Sequence, residues 1–241
     1  MATPETAPPG TFEAAWQRAA EVPGWCTPAQ ARALWDAAVR LPGASTALEI
    51  GSHQGRSTIV LASALQASGG TVIAVDPFVE GRLFGGQTTR GLFEKHLVEA
   101  GVTEVVELQV AYSTELRPRW DKPLALVYVD GKHDFWTVRD DLRWGDHLPE
   151  GGDLLIHDAF SSIGVTLGLI VTYGLSVRWS FVERTGSLAL FRRRKPTTAD
   201  RLRMLAQLPW WVRNVGIKVL LRLRLRGVAR AFGHAGAYDP Y

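Results

Sequence analysis

Three observations predict an α/β fold with a mostly parallel sheet. Short apolar runs alternate with helix-like segments from Thr46 to Ile156, and such alternation implies right-handed crossovers and a sheet with helices on both faces. The run Leu124 to Val129 is apolar throughout, as in a strand buried on both sides. Two later runs, Ser176 to Val182 and Gly186 to Phe191, are separated by three residues, as the strands of a terminal antiparallel β-hairpin would be.

The 241 residues suit one α/β domain with extra elements, and 46% hydrophobic with 21% charged content is that of a globular protein. The expected division is a disordered tail over 1–10, a helical cap over 11–43, the α/β domain over 44–195 and a basic helical extension over 196–241. Met1 to Gly10 is rich in Pro, Thr and Ala, without a basic start followed by an apolar run, and so does not read as a signal peptide. Cys26 is the only cysteine; no intrachain disulfide can form, which fits a reducing cytoplasm. No apolar stretch reaches the roughly 18 residues of a membrane span.

Taken in order, Thr11 to Ala20 reads as a short helix. A better one opens with Thr27 as N-cap and Pro28 in its first turn, and Ala31, Leu34, Trp35, Ala38 and Leu41 give it one apolar face until Pro42-Gly43. Just before it, Gly24 to Pro28 either covers a ligand or sets Trp25 into a core gap. Ala47 to Ile50 is a buried strand that ends in a glycine turn, with the next helix starting near Arg56. Gly51 permits backbone angles closed to other residues, and Gly55 lets the helix begin close to a ligand that its free N–H groups can meet. The spacing is G-x-x-x-G and the strand end is acidic, which favours a nucleoside over a pyrophosphate and disfavours a NAD-binding oxidoreductase.

Ser57 to Ala67 continues as helix to Gly69-Gly70, and Thr71 to Val75 forms the next strand. Asp76 closes that strand a little more than about 20 residues after the turn, placed to accept hydrogen bonds from a ribose diol. Glu80 to Arg90 reads as a polar loop able to close over an acceptor, Gly91 to Ala100 as helix, Val105 to Val110 as the third strand and Ala111-Tyr112-Ser113 as its turn. The strand Leu124 to Val129 delivers Asp130-Gly131-Lys132-His133-Asp134, and a helix follows from His133 to about His147. Pro149 to Gly152 turns the chain into a fifth strand, Asp153 to Ile156, ending at His157-Asp158.

The segment Glu49-Ile50-Gly51-Ser52-His53-Gln54-Gly55 resembles motif I of class I S-adenosylmethionine-dependent methyltransferases, and the strand order is similar to their Rossmann-like seven-stranded sheet with its last strand antiparallel. Together with V-D-G-x-H at Val129 to His133 and L-x-x-G-G-x-x-x-x-H-D at Leu148 to Asp158, it looks like the small bacterial O-methyltransferases that modify sugars and other natural-product hydroxyls, some of them metal-dependent. The resemblance runs from about Gly24 to Arg192. It implies S-adenosylmethionine as cofactor, held by Glu49, Gly51, Ser52, Gly55, Ser57, Asp76, Phe78, Tyr112, Ser113 and Asp130. Lys132 stands where relatives often carry an acidic residue, so an extra metal ligand or acceptor contact there has no support.

In open parallel sheets ligands bind beyond the carboxyl ends of the strands, where Asp130, His133, His157 and Asp158 gather carboxylates and imidazoles. A sugar hydroxyl is too weak an acid to ionise at neutral pH, so its proton must be removed or polarised. Asp130 and Asp158 can hold a divalent cation such as Mg²⁺, which would lower the hydroxyl's pKa. His133 is then the candidate general base, and His157 acts likewise or orients Asp158. The blander alternatives are a turn cap for Asp130 and a helix N-terminal position for His133.

The net charge of +3 hides an asymmetry: residues 192–241 hold twelve Lys/Arg against Asp200 and Asp239, a net +10, leaving −7 for the rest. From Leu202 to Phe232 basic and apolar residues interleave at helical spacing, interrupted by Gly216 and Gly227. Such a helix can pack on its own body or a second subunit, lie on an anionic membrane, or meet nucleic acid; packing with a homodimer is the leading expectation, with Trp210, Trp211, Val215 and Leu220 buried. The chain is expected to be a cytoplasmic O-methyltransferase acting on a small hydroxylated acceptor, a saccharide foremost. Its alternatives are an RNA methyltransferase and a membrane-docked non-catalytic scaffold. Against RNA base methylation, the fourth strand ends in Asp130-Gly131-Lys132-His133 and not in an Asn/Asp-Pro-Pro-aromatic turn.

Overall fold

A computed structural model of the chain describes residues 10–80 and 86–234; the chain divides into two compact units between Tyr128 and Val129. Strands β1 (Thr46–Ile50), β2 (Thr71–Val75), β3 (Val106–Gln109), β4 (Leu126–Val129), β5 (Asp153–Ile156), β6 (Trp179–Thr185) and β7 (Leu188–Arg193) form a seven-stranded mixed sheet in the order β3-β2-β1-β4-β5-β7-β6. Strand order therefore grows one way from β1 and the other way from β4, the kind of reversal at which open α/β sheets bind ligands.

The first unit is built around helix α3 (Arg56–Gln66), whose residues Arg56 to Leu65 are all buried. Helices α1 (Phe12–Ala20) and α2 (Pro28–Val39) pack on it. As the sequence predicts, Thr27 and Gln30 cap α2 reciprocally, with Pro28 in its first turn. β1 and β2 pair in parallel from Thr46 opposite Thr71 to Ile50 opposite Val75. The strands end level, so the glycine turn and Asp76 leave the sheet as neighbours.

The stretch expected to be a loop up to Arg90 is shorter, because helix α4 (Gly86–Ala100) begins five residues before the expected Gly91. Gly86 N–H donates to Phe78 O at 3.0 Å and Gln87 N–H to Glu80 Oε1 at 2.8 Å, tying that helix start to the β2 turn. Residues 81–85 of the expected loop, and 1–9 of the expected tail, lie outside the described residues. After β3, Ser113–Leu116 makes the single-turn helix α5.

In the second unit, helix α6 (Phe135–Leu142) starts two residues later than His133 and passes into 3-10 geometry over Arg143–His147. The reason is Asp134, whose side chain accepts from the N–H groups of Trp136 and Thr137 as an N-cap and leaves His133 outside the helix. The terminal hairpin is also shifted. Ser176 belongs to a turn, its Oγ accepting from Arg178 N–H at 3.1 Å, and a register shift between Phe181 and Glu183 lengthens β6 to Thr185, leaving a two-residue connection.

Sequence reading leaves out helix α7 (Ile163–Tyr173) entirely. Its residues are apolar nearly all round, which removes the 3.6-residue periodicity that marks a helix. Its signal lies instead in Gly164, where a Cβ would sit 2.2 Å from His133 O: α7 crosses the segment before α6 at backbone distance. Three helices close the described residues, α8 (Thr198–Leu205), α9 (Leu208–Arg222) and α10 (Arg226–Ala231). Contrary to expectation, Gly216 and Gly227 lie inside α9 and α10; the breaks fall at Ala206-Gln207 and at Leu223 to Leu225, with Arg224 at φ +62°. Trp210, Trp211, Val215 and Leu220 are half-buried, while Asn214 and Ile217 are the buried residues of α9.

Candidate active site

In the first unit the site is a backbone device. Gly51 N–H continues the sheet by donating to Val75 O at 2.9 Å. His53 takes φ +48° and Gly55 φ +96°; a Cβ on Gly55 would also come 3.3 Å from the Phe93 ring. The turn can thus close before α3 only with glycine there. Asp76 is built into it: one carboxylate oxygen accepts from His53 N–H at 3.0 Å, the other from Phe78 N–H at 2.8 Å. Each oxygen keeps a second lone pair, and the side chain is only half-buried, so a ribose diol can still be met.

The other residues expected at the cofactor fall into groups. Glu49 is fully buried and accepts from the hydroxyls of Ser57 and Thr58, which locks β1 to the first turn of α3. Phe78 is buried with its ring 5.9 Å from that of Phe93. Ser52 Oγ, buried in the glycine turn, has no hydrogen-bond partner among the described residues. Because unsatisfied buried hydroxyls are rare, this atom fits a turn built to take a polar ligand group. Tyr112 is exposed and Ser113 buried at the start of α5.

Sequence reading misses Arg56, taken only as the start of a helix. Its buried guanidinium donates to four carbonyls, Val22 O at 2.6 Å, Gly24 O at 2.7 Å, Ala20 O at 3.2 Å and Cys26 O at 3.3 Å. The first turn of α3 thereby holds the 20–26 segment in place. Trp25, carried by that segment, is exposed and sets its ring 5.3 Å from that of His53; it fills no core gap. The combination of an arginine at the helix start and a glycine-containing connection is the available signal, but backbone acceptors leave no mark in a sequence.

In the second unit the site is made of charged side chains. Asp130 follows β4 and His157-Asp158 follow β5, with His157 N–H donating to Val129 O at 2.9 Å. His157 Nδ1 lies 3.1 Å from Asp130 Oδ1 and 3.7 Å from Asp158 Oδ2. His133 Nε2 lies 3.3 Å from Asp158 Oδ2 and 3.8 Å from Asp130 Oδ1. Ser161 Oγ donates to Asp158 Oδ1 at 2.9 Å, and Lys132 instead pairs with Asp134 at 2.9 Å. Ligand-type atoms of Asp130, His133 and Asp158 all fall within 4.8 Å of one another.

Burial opposes the charge on every member of this cluster, and the partners outweigh it. Burial would raise Asp130, but the His157 charge and hydrogen bonds from His133 and His157 hold it below the ordinary carboxylate range. Asp158 is likewise held well down, by His157, His133 and Ser161. Burial would lower both imidazoles, yet the two carboxylates hold His157 well above and His133 above its usual value. Like charges at such separations repel by roughly 3–4 kcal/mol at an effective dielectric of about 20. Repulsion between Asp130 and Asp158 therefore does not by itself demand a cation, as the hydrogen bonds from the imidazoles and Ser161 already relieve it. Two carboxylates and one imidazole do suit a divalent ion, which would bind in competition with the proton on His133.

Residues 48–159 match the methyltransferase domain family. Among solved structures, similarity extends to a Bacillus cereus O-methyltransferase in complex with SAH, with 20% identity, TM-score 0.56, and 76% of this chain and 90% of that one covered. TomG from Streptomyces achromogenes, an O-methyltransferase involved in tomaymycin synthesis and solved with SAM, shows 21% identity, TM-score 0.57 and coverage of 76% and 89%. An rRNA methylase from Streptococcus thermophilus shows 18% identity, TM-score 0.51 and coverage of 68% and 94%. By its domain match and its fold, the chain resembles the class I S-adenosylmethionine-dependent methyltransferases, the small bacterial O-methyltransferases among them.

Proposed function

We propose that the chain transfers a methyl group from S-adenosylmethionine to a hydroxyl of a small acceptor, a saccharide being the favoured class. The observation that carries this is the cluster of Asp130, His133, His157 and Asp158, in which a half-exposed imidazole stands 3.3 Å from a half-buried carboxylate. Amines are nucleophilic without such help. An alcohol is not, and general-base assistance of this kind contributes about 10²–10⁴ in rate.

The cofactor supplies the methyl group as an electrophilic sulfonium. Asp76 takes the ribose hydroxyls, while Ser52 Oγ and the N–H groups of the glycine turn take polar groups of the amino-acid end. A divalent cation on Asp130 and Asp158, with His133 as a third donor, would supply Lewis acidity that lowers the hydroxyl's pKa. Without it, His133 in its neutral form is the base, since its ring is half-exposed. Buried His157 holds its proton firmly between the carboxylates and is a positioning residue. Labelled methyl transfer tested against saccharides, phenols and RNA checks the proposal: label on a saccharide or other small hydroxyl supports it, and label on RNA alone would replace it.

A further inference from the structure

Helix α9 has two apolar faces, and among the described residues only one is covered. Its inner face is anchored by buried Ile217, by Asn214 Nδ2 donating to Phe160 O at 3.2 Å, and by Trp210, whose ring lies 3.8 Å from the Arg184 guanidinium. The opposite face carries Leu208, Val212, Val215, Val219 and Leu223, spaced four, three, four and four residues apart and so aligned in one stripe. Val212, Val219 and Leu223 are 64%, 51% and 62% exposed. Leu225, Val228 and Phe232, in and around α10, are exposed as well. A surface helix ordinarily puts polar residues there.

Charge decides what can cover this stripe. Between Leu208 and His234 there are six Lys/Arg and no Asp or Glu, with Arg222, Arg224, Arg226 and Arg230 exposed. Symmetric pairing with a second copy would set six cations against six with no carboxylate in either segment, and such like-charge contacts are costly. Nucleic acid would take the arginines but offers the valines and leucines little, since single strands are gripped through aromatic stacking. An anionic lipid surface meets both needs, headgroup phosphates for the arginines and the upper acyl region for the aliphatic stripe. At about 1.5 Å per residue the 15-residue α9 falls short of a hydrocarbon core of about 30 Å, and no described helix is long and apolar enough to cross a membrane.

We infer that α9 and α10 dock the protein on an anionic membrane surface, the α9 stripe facing the acyl chains; this stands independently of the methyl-transfer proposal. Flotation of the full chain with phosphatidylcholine vesicles, with and without phosphatidylglycerol, tests it at low and high salt. Binding is expected only with phosphatidylglycerol, to fall steeply with salt, and to weaken about fivefold for each of Arg222, Arg224, Arg226 and Arg230 changed to Gln. The combined Val212→Asp and Val219→Asp variant is expected to lose flotation while its circular dichroism and melting stay unchanged. The arginine series reads the same docking without touching the apolar stripe. No binding to anionic vesicles at low salt would overturn the inference. So would light scattering showing a self-associated protein that these Asp substitutions turn monomeric, or retention of RNA in place of vesicles.

Discussion

The glycine turn after β1 and the charged cluster after β4 and β5 are both strand-end devices, made of different materials. The first is backbone: N–H groups, two glycine positions and an Asp76 whose carboxylate is oriented by N–H donors on both oxygens. The second is four titratable side chains that neutralise one another. A site of backbone amides has nothing to protonate and suits a ligand held the same way at every turnover. A site of imidazoles and carboxylates changes state with pH and with cations, as moving a proton requires.

If the two devices divide the work in this way, each can be damaged separately. The largest expected effect is chelation: turnover should fall at least about a hundredfold in excess EDTA and return with Mg²⁺ or Mn²⁺, while calorimetric S-adenosylhomocysteine affinity barely moves. Full turnover in EDTA would remove the cation and leave His133 alone as activator. Next, Asp76→Ala should weaken S-adenosylhomocysteine binding by roughly ten- to a hundredfold, the loss of a charge-assisted hydrogen bond being about 1.5–3 kcal/mol. Unchanged affinity would take Asp76 out of the site.

A smaller change is expected from Arg56→Met, which strands the carbonyls of Ala20, Val22, Gly24 and Cys26. It should destabilise the protein by about 2–4 kcal/mol and alter tryptophan emission as Trp25 leaves His53. The smallest effect is on the metal-free protein's pH–stability profile. The raised His157 contributes fully below about pH 6.5, and its contribution is lost as pH rises through its folded value; the depressed Asp130 and Asp158 contribute fully above about pH 4 and lose theirs as pH falls. The cluster's stabilisation is therefore greatest between about pH 4 and 6.5, and His157→Gln should flatten the decline above that window in thermal melts.

The same contrast governs what the sequence reveals. Strand ends are legible because apolar runs stop at Gly51, Asp76, Asp130 and His157, and these residues mark both the sheet edge and its chemistry. The proximity of His133 to Asp158 follows once β4 and β5 are read as strands. What is not legible depends on unmarked partners. Arg56 hydrogen-bonds to carbonyls, α7 is apolar nearly all round, and α4 starts early through a Gly86–Phe78 backbone hydrogen bond. In the tail, amphipathic spacing gives the helices but not their breaks, because Gly216 sits in α9 with no neighbour to disturb it.

Activation of the acceptor hydroxyl is the role proposed for the cluster after β4 and β5. It is tested most directly by single-turnover transfer of a labelled methyl group at saturating S-adenosylmethionine, comparing the unaltered chain with Asp158→Asn. Label is expected on an acceptor oxygen with the unaltered chain, with a loss of roughly a hundredfold or more in the variant and cofactor still bound; transfer undiminished in Asp158→Asn, or label on nitrogen or carbon, would rule this role out.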